Sequence, residues 1–258
     1  AAAANTVRQL APGSVQCRNV LRCVCGEGHQ KPDMVQCEAC GCWQHADCVG
    51  LPSVPAGQKR KVESYHCERC RAERVDPYWE VVTQDLFSPP AKLKPTGRLA
   101  PVGTKTEPQQ YVERQFVPSA QQYEMFRKRA PQYRLQITCL QLNDTVPFRC
   151  HWPLSSDLRV NGMAYRVYAR QGHLKLGANQ RDETANVGVL CNQARNVVSF
   201  SCADGAPYVL LAQLVRQRTM DEVKALMRAP LSLAEATERV KRAVRGGSGG
   251  DDDDDEIQ

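Results

Sequence analysis

No run of 18 apolar residues occurs anywhere in this 258-residue chain, so no stretch of it has the makings of a membrane-spanning helix. It opens on neither an apolar signal segment nor an initiator methionine. Ala1 to Ser14, an alanine run followed by Pro12-Gly13, has the look of unstructured chain at the start of a fragment. Histidine is scarce. Of the five, only His45 has neighbours suited to metal ligation: His29 and His66 flank the same stretch, and His151 and His173 stand alone. No Ser/His/Asp grouping and no open metal site appear, which argues against a free-standing enzyme and leaves no catalytic residue to assign. Cations are plentiful. The formal charge of +6 conceals −6 from Asp251 to Glu256, so residues 1–250 carry +12. That body suits anionic partners such as nucleic acid (DNA among them) or acidic protein surfaces, although ordinary solvated charge has the same composition.

Cysteine is concentrated in one place. Cys23, Cys25, Cys37, Cys40, His45, Cys48, Cys67 and Cys70 fall in order within 48 residues. A packed core has no need of seven thiols and an imidazole at that density, whereas two tetrahedral zinc ions do. The spacing is C-x-C, C-x2-C, H-x2-C and C-x2-C; a close pair can place both donors on one ion, so four pairs make two sites. A disulfide framework is the rival reading and requires a secreted chain. Cys139, Cys150, Cys191 and Cys202 lie far apart and are expected to be buried thiols.

The chain divides by composition into residues 1–20, disordered; 21–74, the zinc segment; 75–110, a strand and a proline-rich linker, either separate or part of the domain that follows; 111–245, a β-rich domain; and 246–258, a glycine-rich and acidic disordered linker. Asp76 to Val82 suggests an aromatic-rich strand. Tyr133, Leu135, Ile137 and Cys139 alternate with polar residues, as in a half-buried strand. Leu158-Arg159-Val160 and Met163, Tyr165, Val167 flank Asn161-Gly162, a hairpin signal. Two more strands are expected over Asn196 to Cys202 and Pro207 to Val215. Thr219-x-x-Glu222 and Ser232-x-x-Glu235 are capping boxes opening two helices. Strands followed by helices imply an α+β domain, a β-sandwich with C-terminal helices. Lys59-Arg60-Lys61 and Arg127-Lys128-Arg129 are basic triplets; each suits a phosphate contact, a nuclear signal or a solvated loop.

The order four Cys, one His, three Cys resembles a PHD finger. In that family the pairs interleave, which assigns Cys23, Cys25, His45 and Cys48 to one zinc and Cys37, Cys40, Cys67 and Cys70 to the other. Cys40 rather than Cys42 preserves the family's gap to His45, leaving Cys42 as a small, partly exposed thiol. With every position filled, both ions are structural. Asp76 to Val81, Leu140 to Asp144, Val146 to Arg149, Leu158 to Gly162 and Leu214 to Arg218 resemble the PINIT domain of SIZ/PIAS SUMO ligases, with Thr184 to Gly188 as the nearest candidate for its signature. A PHD finger directly before PINIT is the plant-type arrangement.

That resemblance implies a nuclear protein, the targeting portion of an E3 SUMO-protein ligase. PINIT would select and orient protein substrates, and the finger would engage a histone tail or chromatin partner. In the family an SP-RING follows and docks the SUMO-conjugating enzyme. The chain stops at Gln258, where that module should start, and is expected to be inactive alone. For the histone tail, with a methylated lysine as the ligand, the resemblance points to Trp43 and Met34 as cage walls and to Asp33 and Glu38 as partners of a basic tail. Trp43 is expected at the surface. Arg22 stands where several readers have an aromatic residue, which leaves the cage incomplete, and Tyr65 is assigned to packing. The alternative is a chromatin adaptor without ligase activity.

Overall fold

The computed structural model describes residues 19–52, 54, 64–83, 85–96, 109–146, 148–168, 181–227 and 232–246. Ala1 to Ser14, Lys59-Arg60-Lys61, the proline-rich run past Thr96 and the Asp251–Glu256 run lie outside them. Two compact units divide between Arg218 and Thr219.

The first unit begins with a small module. Its two short strands, β1 (Met34–Gln36) and β2 (Trp43–His45), pair antiparallel with Gln36 opposite Trp43. The helix α1 (Glu68–Ala72) starts at Cys67. Its interior is mostly cysteine, as expected where too few residues are present to build an apolar core.

Two sheets follow, packed face to face. One has the order β10-β7-β12-β3, built from β3 (Trp79–Thr83), β7 (Tyr133–Gln141), β10 (Ala185–Asn186) and β12 (Tyr208–Gln217), with β4 (Ala91–Lys92) also paired to β12. The other runs β5 (Lys94–Pro95), β6 (Gln109–Phe116), β11 (Asn196–Ala203), β8 (Ser156–Val160) and β9 (Met163–Tyr165). Leu135, Ile137, Leu210 and Leu214 from the first sheet meet Val112, Leu158, Val198 and Phe200 from the second around the buried Trp152. The sandwich and its β-rich class are as expected. The Asn161-Gly162 turn joins β8 to β9 with both residues at positive φ, 52° and 80°, the conformation a two-residue hairpin demands.

Sequence reading missed three things here. Part of the proline-rich stretch is woven into the sheets as β4 and β5, anchored by the buried Leu93 between them. A helix α2 (Ala120–Lys128) follows β6; its capping box, Ser119 with Gln122, was legible and passed over. Most consequentially, the small module does not stand apart from the sandwich. Val24, Val35, Val49 and Ala72 form one buried cluster with Leu140, Val209 and Leu211, on the outer face of β7 and β12, and with Leu142 just past β7. Finger and sandwich therefore share a core, although the proline-rich stretch between their ranges reads as a linker.

Polar contacts fix the same seam. Arg71 is buried and donates to the carbonyls of Gln141 (2.8 Å) and Leu142 (3.0 Å). Lys92 Nζ donates to Cys48 O at 2.7 Å. Gly50, at φ +75°, sits so close that a Cβ there would meet Pro207 Cγ at 2.9 Å and Asn143 Cβ at 3.3 Å. Beside it, the turn after β7 is tied by Asp144. Its carboxylate accepts from Arg149 (2.7 and 2.8 Å), His151 (2.7 Å) and the amide of Val146 (2.9 Å).

The second unit holds α3 (Met220–Leu226) and α4 (Leu233–Gly246). Thr219 with Glu222 and Ser232 with Glu235 cap them, as their spacing implied.

Burial alone would raise the Asp144 carboxyl, but the His151 and Arg149 hydrogen bonds outweigh it and hold the group well below the usual carboxylate range. A depressed folded-state value means that its stabilisation is complete above the unfolded value of about 4 and is lost as pH falls below it. Asp144→Asn should cost about 3 kcal/mol at pH 7 by stranding Arg149. In urea unfolding, the gap between wild type and variant should narrow from pH 7 to pH 3; a gap independent of pH would contradict this.

Candidate metal centre and the adjoining groove

Two groups of four donors converge in the small module. Cys23, Cys25, His45 and Cys48 form one; Cys37, Cys40, Cys67 and Cys70 form the other, with all donor atoms of a group within 4.8 Å of one another. The pairs thus interleave along the chain. Individual edges are 3.4 Å (Cys25 Sγ to His45 Nδ1), 3.7 Å (Cys48 Sγ to His45 Nδ1) and 3.7 Å (Cys40 Sγ to Cys67 Sγ). A zinc tetrahedron with Zn–S near 2.3 Å and Zn–N near 2.05 Å has edges of about 3.5–3.8 Å, so the donor sets fit the ion. His45 turns Nδ1 to its group while Nε2 donates to the carbonyl of His29 at 2.7 Å, which fixes the tautomer and the ring. Backbone amides of Glu27 and Cys67 donate to Cys25 Sγ and Cys37 Sγ. Seven of the eight donor residues are buried and Cys25 is half-buried. No fourth position remains for water in either group, so two structural zinc ions are the cofactors this chemistry calls for.

Cys42 departs from expectation. It is fully buried rather than partly exposed, packed beside the four-cysteine group. Arg22 lies against the same cluster. Its guanidinium points inward, 3.0 Å from Cys67 Sγ and 3.5 Å from Cys42 Sγ. Four thiolates on a divalent ion leave a net charge of about −2, and the half-buried Arg22, which also faces Glu68 Oε1 at 4.0 Å, offsets part of it. Arg22 thus serves the metal centre. Beneath it Gln44, also buried, donates to Glu68 Oε2 (2.7 Å) and to Arg22 O (2.9 Å) and accepts from the Tyr65 hydroxyl. Tyr65 packs against both clusters of the module. Gln44 drew no attention in the sequence, because a polar residue between two ligands carries no local signal of burial.

Trp43 and Met34 line one open groove of about 480 Å³, together with Asn19, Leu21, Gly28 and Gln30. Both are half-buried. Strand pairing explains the juxtaposition: Gln36 opposes Trp43 and Met34 opposes His45, so the two side chains share a face. Asp33 and Glu38 do not line this groove. Glu38 is exposed and accepts from Ser64 Oγ at 3.0 Å, and the carbonyl of Asp33 accepts from the amide of Ala46.

Residues 23–70 match the family model described as PHD-finger. The small module is a PHD finger. Over 235 residues, 89% of its length, the chain is 36% identical to the E3 SUMO-protein ligase SIZ1 of Arabidopsis thaliana. It is 32% identical over 88% of its length to the ligase of the same name from Oryza sativa subsp. japonica. It spans about a quarter, 26%, of each of those relatives. The finger alone is 48% identical, over 54 residues, to the transcription factor bye1 of Schizosaccharomyces pombe; that match takes in 20% of this chain and 7% of bye1. Among solved structures, the SUMO E3 ligase SIZ1 of S. cerevisiae superposes with a TM-score of 0.46 at 16% identity, over 76% of this chain and 68% of that one. The likeness to the two plant ligases covers nearly nine-tenths of this chain, and so takes in finger and sandwich alike.

Purified protein should carry two zinc ions per chain by elemental analysis; one or none in folded material would contradict the two-site geometry. Because the finger's underside is shared with β7 and β12, chelation should also lower the melting temperature of the sandwich. Leu211→Ala should cost about 2–5 kcal/mol and speed zinc release. A sandwich melting unchanged after zinc removal would contradict the shared core.

Proposed function

We propose that this chain is the target-recognising part of an E3 SUMO-protein ligase, in which the sandwich selects and orients the protein substrate and the PHD finger engages a histone tail or chromatin partner in the nucleus. The observation that carries the first half is the similarity to the two plant ligases across finger and sandwich together. In this reading the chain contributes position. A substrate held beside a charged conjugating enzyme reacts at a raised effective concentration, and the protein need supply no nucleophile. The closed zinc sites agree with a recognition role. In this reading the conjugating enzyme is engaged by a separate module, an SP-RING.

The second half rests on the groove. An indole face and a thioether on adjacent strands offer soft, π-bearing walls to a quaternary or methylated ammonium. With Arg22 turned inward, the third wall is Leu21, and the cage is open on that side. A chromatin adaptor without ligase activity uses the same groove and remains the second reading.

Added in excess, the chain should slow sumoylation by an intact homologous ligase through competition for substrate. Stimulation of transfer by the chain alone, or no effect at any concentration, would contradict the targeting role. Separately, Trp43→Ala should weaken binding to a methylated histone-tail peptide by about 0.5–2 kcal/mol, the strength of one cation–π wall. Titration of the wild type with methylated tail peptides decides whether the groove is a reader; absence of binding to all of them would contradict it.

A further inference from the structure

Cys42 belongs to neither donor group, yet it is fully buried against one of them. Its sulfur makes hydrogen-bond contacts with the sulfurs of Cys37, Cys40 and Cys67. Cys70 contacts the same three. Cys37, Cys40 and Cys67 also contact one another, and the edge from Cys40 to Cys67 is 3.7 Å. The five thiols therefore make two tetrads that share a triangle. Cys70 completes one and Cys42 the other. The contacts of Cys42 do not include Cys70, as befits donors on opposite sides of that triangle.

The two outlying thiols come from different elements. Cys42 directly precedes β2. Gly41 before it turns at φ 72°, and the Cys42 carbonyl accepts from the amide of Cys37 at 2.9 Å, so the turn that presents Cys37 and Cys40 also fixes Cys42. Cys70 lies in α1, next to Arg71. Arg22 faces either tetrad. Its Nη2 is 3.0 Å from Cys67 Sγ, 3.5 Å from Cys42 Sγ and 4.0 Å from Cys40 Sγ, and two of those three sulfurs are common to both. The guanidinium thus offsets the anionic charge of four thiolates on zinc whichever thiolate is the fourth.

A buried cysteine in a small core is ordinarily a compact apolar filler. Filling space does not require its sulfur to meet three zinc donors and a guanidinium. We propose that Cys42 is a reserve donor for the four-cysteine zinc, able to take the place of Cys70. In the exchange the zinc–sulfur bond to Cys70 breaks and one to Cys42 forms, and the proton leaving the Cys42 thiol ends on the Cys70 sulfur. Ligand type, ligand number and charge are the same before and after, so no oxidant or other reactant is needed. An ion held by Cys37, Cys40, Cys42 and Cys67 survives loss of the Cys70 sulfur. It also frees α1, the helix that carries Arg71, from one of its two cysteine bonds to the metal.

The test uses the full chain, loaded with zinc for elemental analysis and with cobalt(II) for its sulfur-to-metal charge-transfer band, which grows with the number of thiolates bound. Cys70→Ser should keep both ions and the wild-type band. The double variant, Cys42→Val with Cys70→Ser, should lose the four-cysteine ion. Loss of that ion from Cys70→Ser alone, its retention in the double variant, or a Cys70→Ser band short of one thiolate would each overturn the proposal; the last two are the marks of three thiolates and a water. Cys42→Val decides the matter should Cys70→Ser fail to fold. It keeps all eight donors, and it should release the four-cysteine zinc to a chelator about tenfold faster than wild type while the His45 site releases at an unchanged rate. Equal release from the two proteins, or both ions leaving faster together, would show Cys42 to be filler.

Discussion

The apolar underside of the zinc finger lies on the outer face of a β-sheet, and the rest of the molecule is arranged around that contact. Val24 and Val49 on one side and Leu140, Val209 and Leu211 on the other are at most 1% exposed. Each buried aliphatic side chain of this size contributes about 1.5–3 kcal/mol. A module of some 50 residues has little core to stabilise it, and metal ligation plus this contact supply what it lacks. The sheet gains as well, because a strand apolar on both faces must be covered on both. Arg71, one residue from a zinc ligand and bonded to two successive carbonyls at the end of β7, makes the metal centre and the sheet mechanically continuous.

That continuity fixes the relation between two surfaces. The Trp43–Met34 groove belongs to the finger and the Arg134 guanidinium stacked on Trp79 to the sheet beneath it, and both lie within one compact unit. Anything held in the groove is therefore at a set distance from the sheet, without a flexible tether between them.

Local patterns were legible wherever local chemistry decides structure. Ligand spacing revealed the zinc finger, Asn161-Gly162 the hairpin, and Thr219 and Ser232 with their glutamates the helix starts. Non-local contacts were not. The run Val209 to Ala212 shows no polar alternation, and that was the one available sign that β12 is covered twice; it does not say by what. Prolines suggested a linker where Leu93 anchors two short edge pairings, because proline marks sheet edges as well as loops. Cys42 and Arg22 were misplaced for a shared reason: neither exposure nor side-chain direction follows from spacing when a distant helix, here Glu68–Ala72, closes over the site.

The order of the chain sets a schedule during synthesis. All eight zinc donors have left the ribosome well before β7 and β12 are complete at Gln141 and Gln217. At translation speeds of 5–20 residues per second the loaded finger waits on the order of ten seconds with Val24, Val49 and Ala72 uncovered. During that interval its underside is an apolar patch on a nascent chain, open to chaperones and to other nascent copies. A substitution that slows closure of β12 would therefore do its damage early, as lost yield, before any defect in the finished fold could be measured.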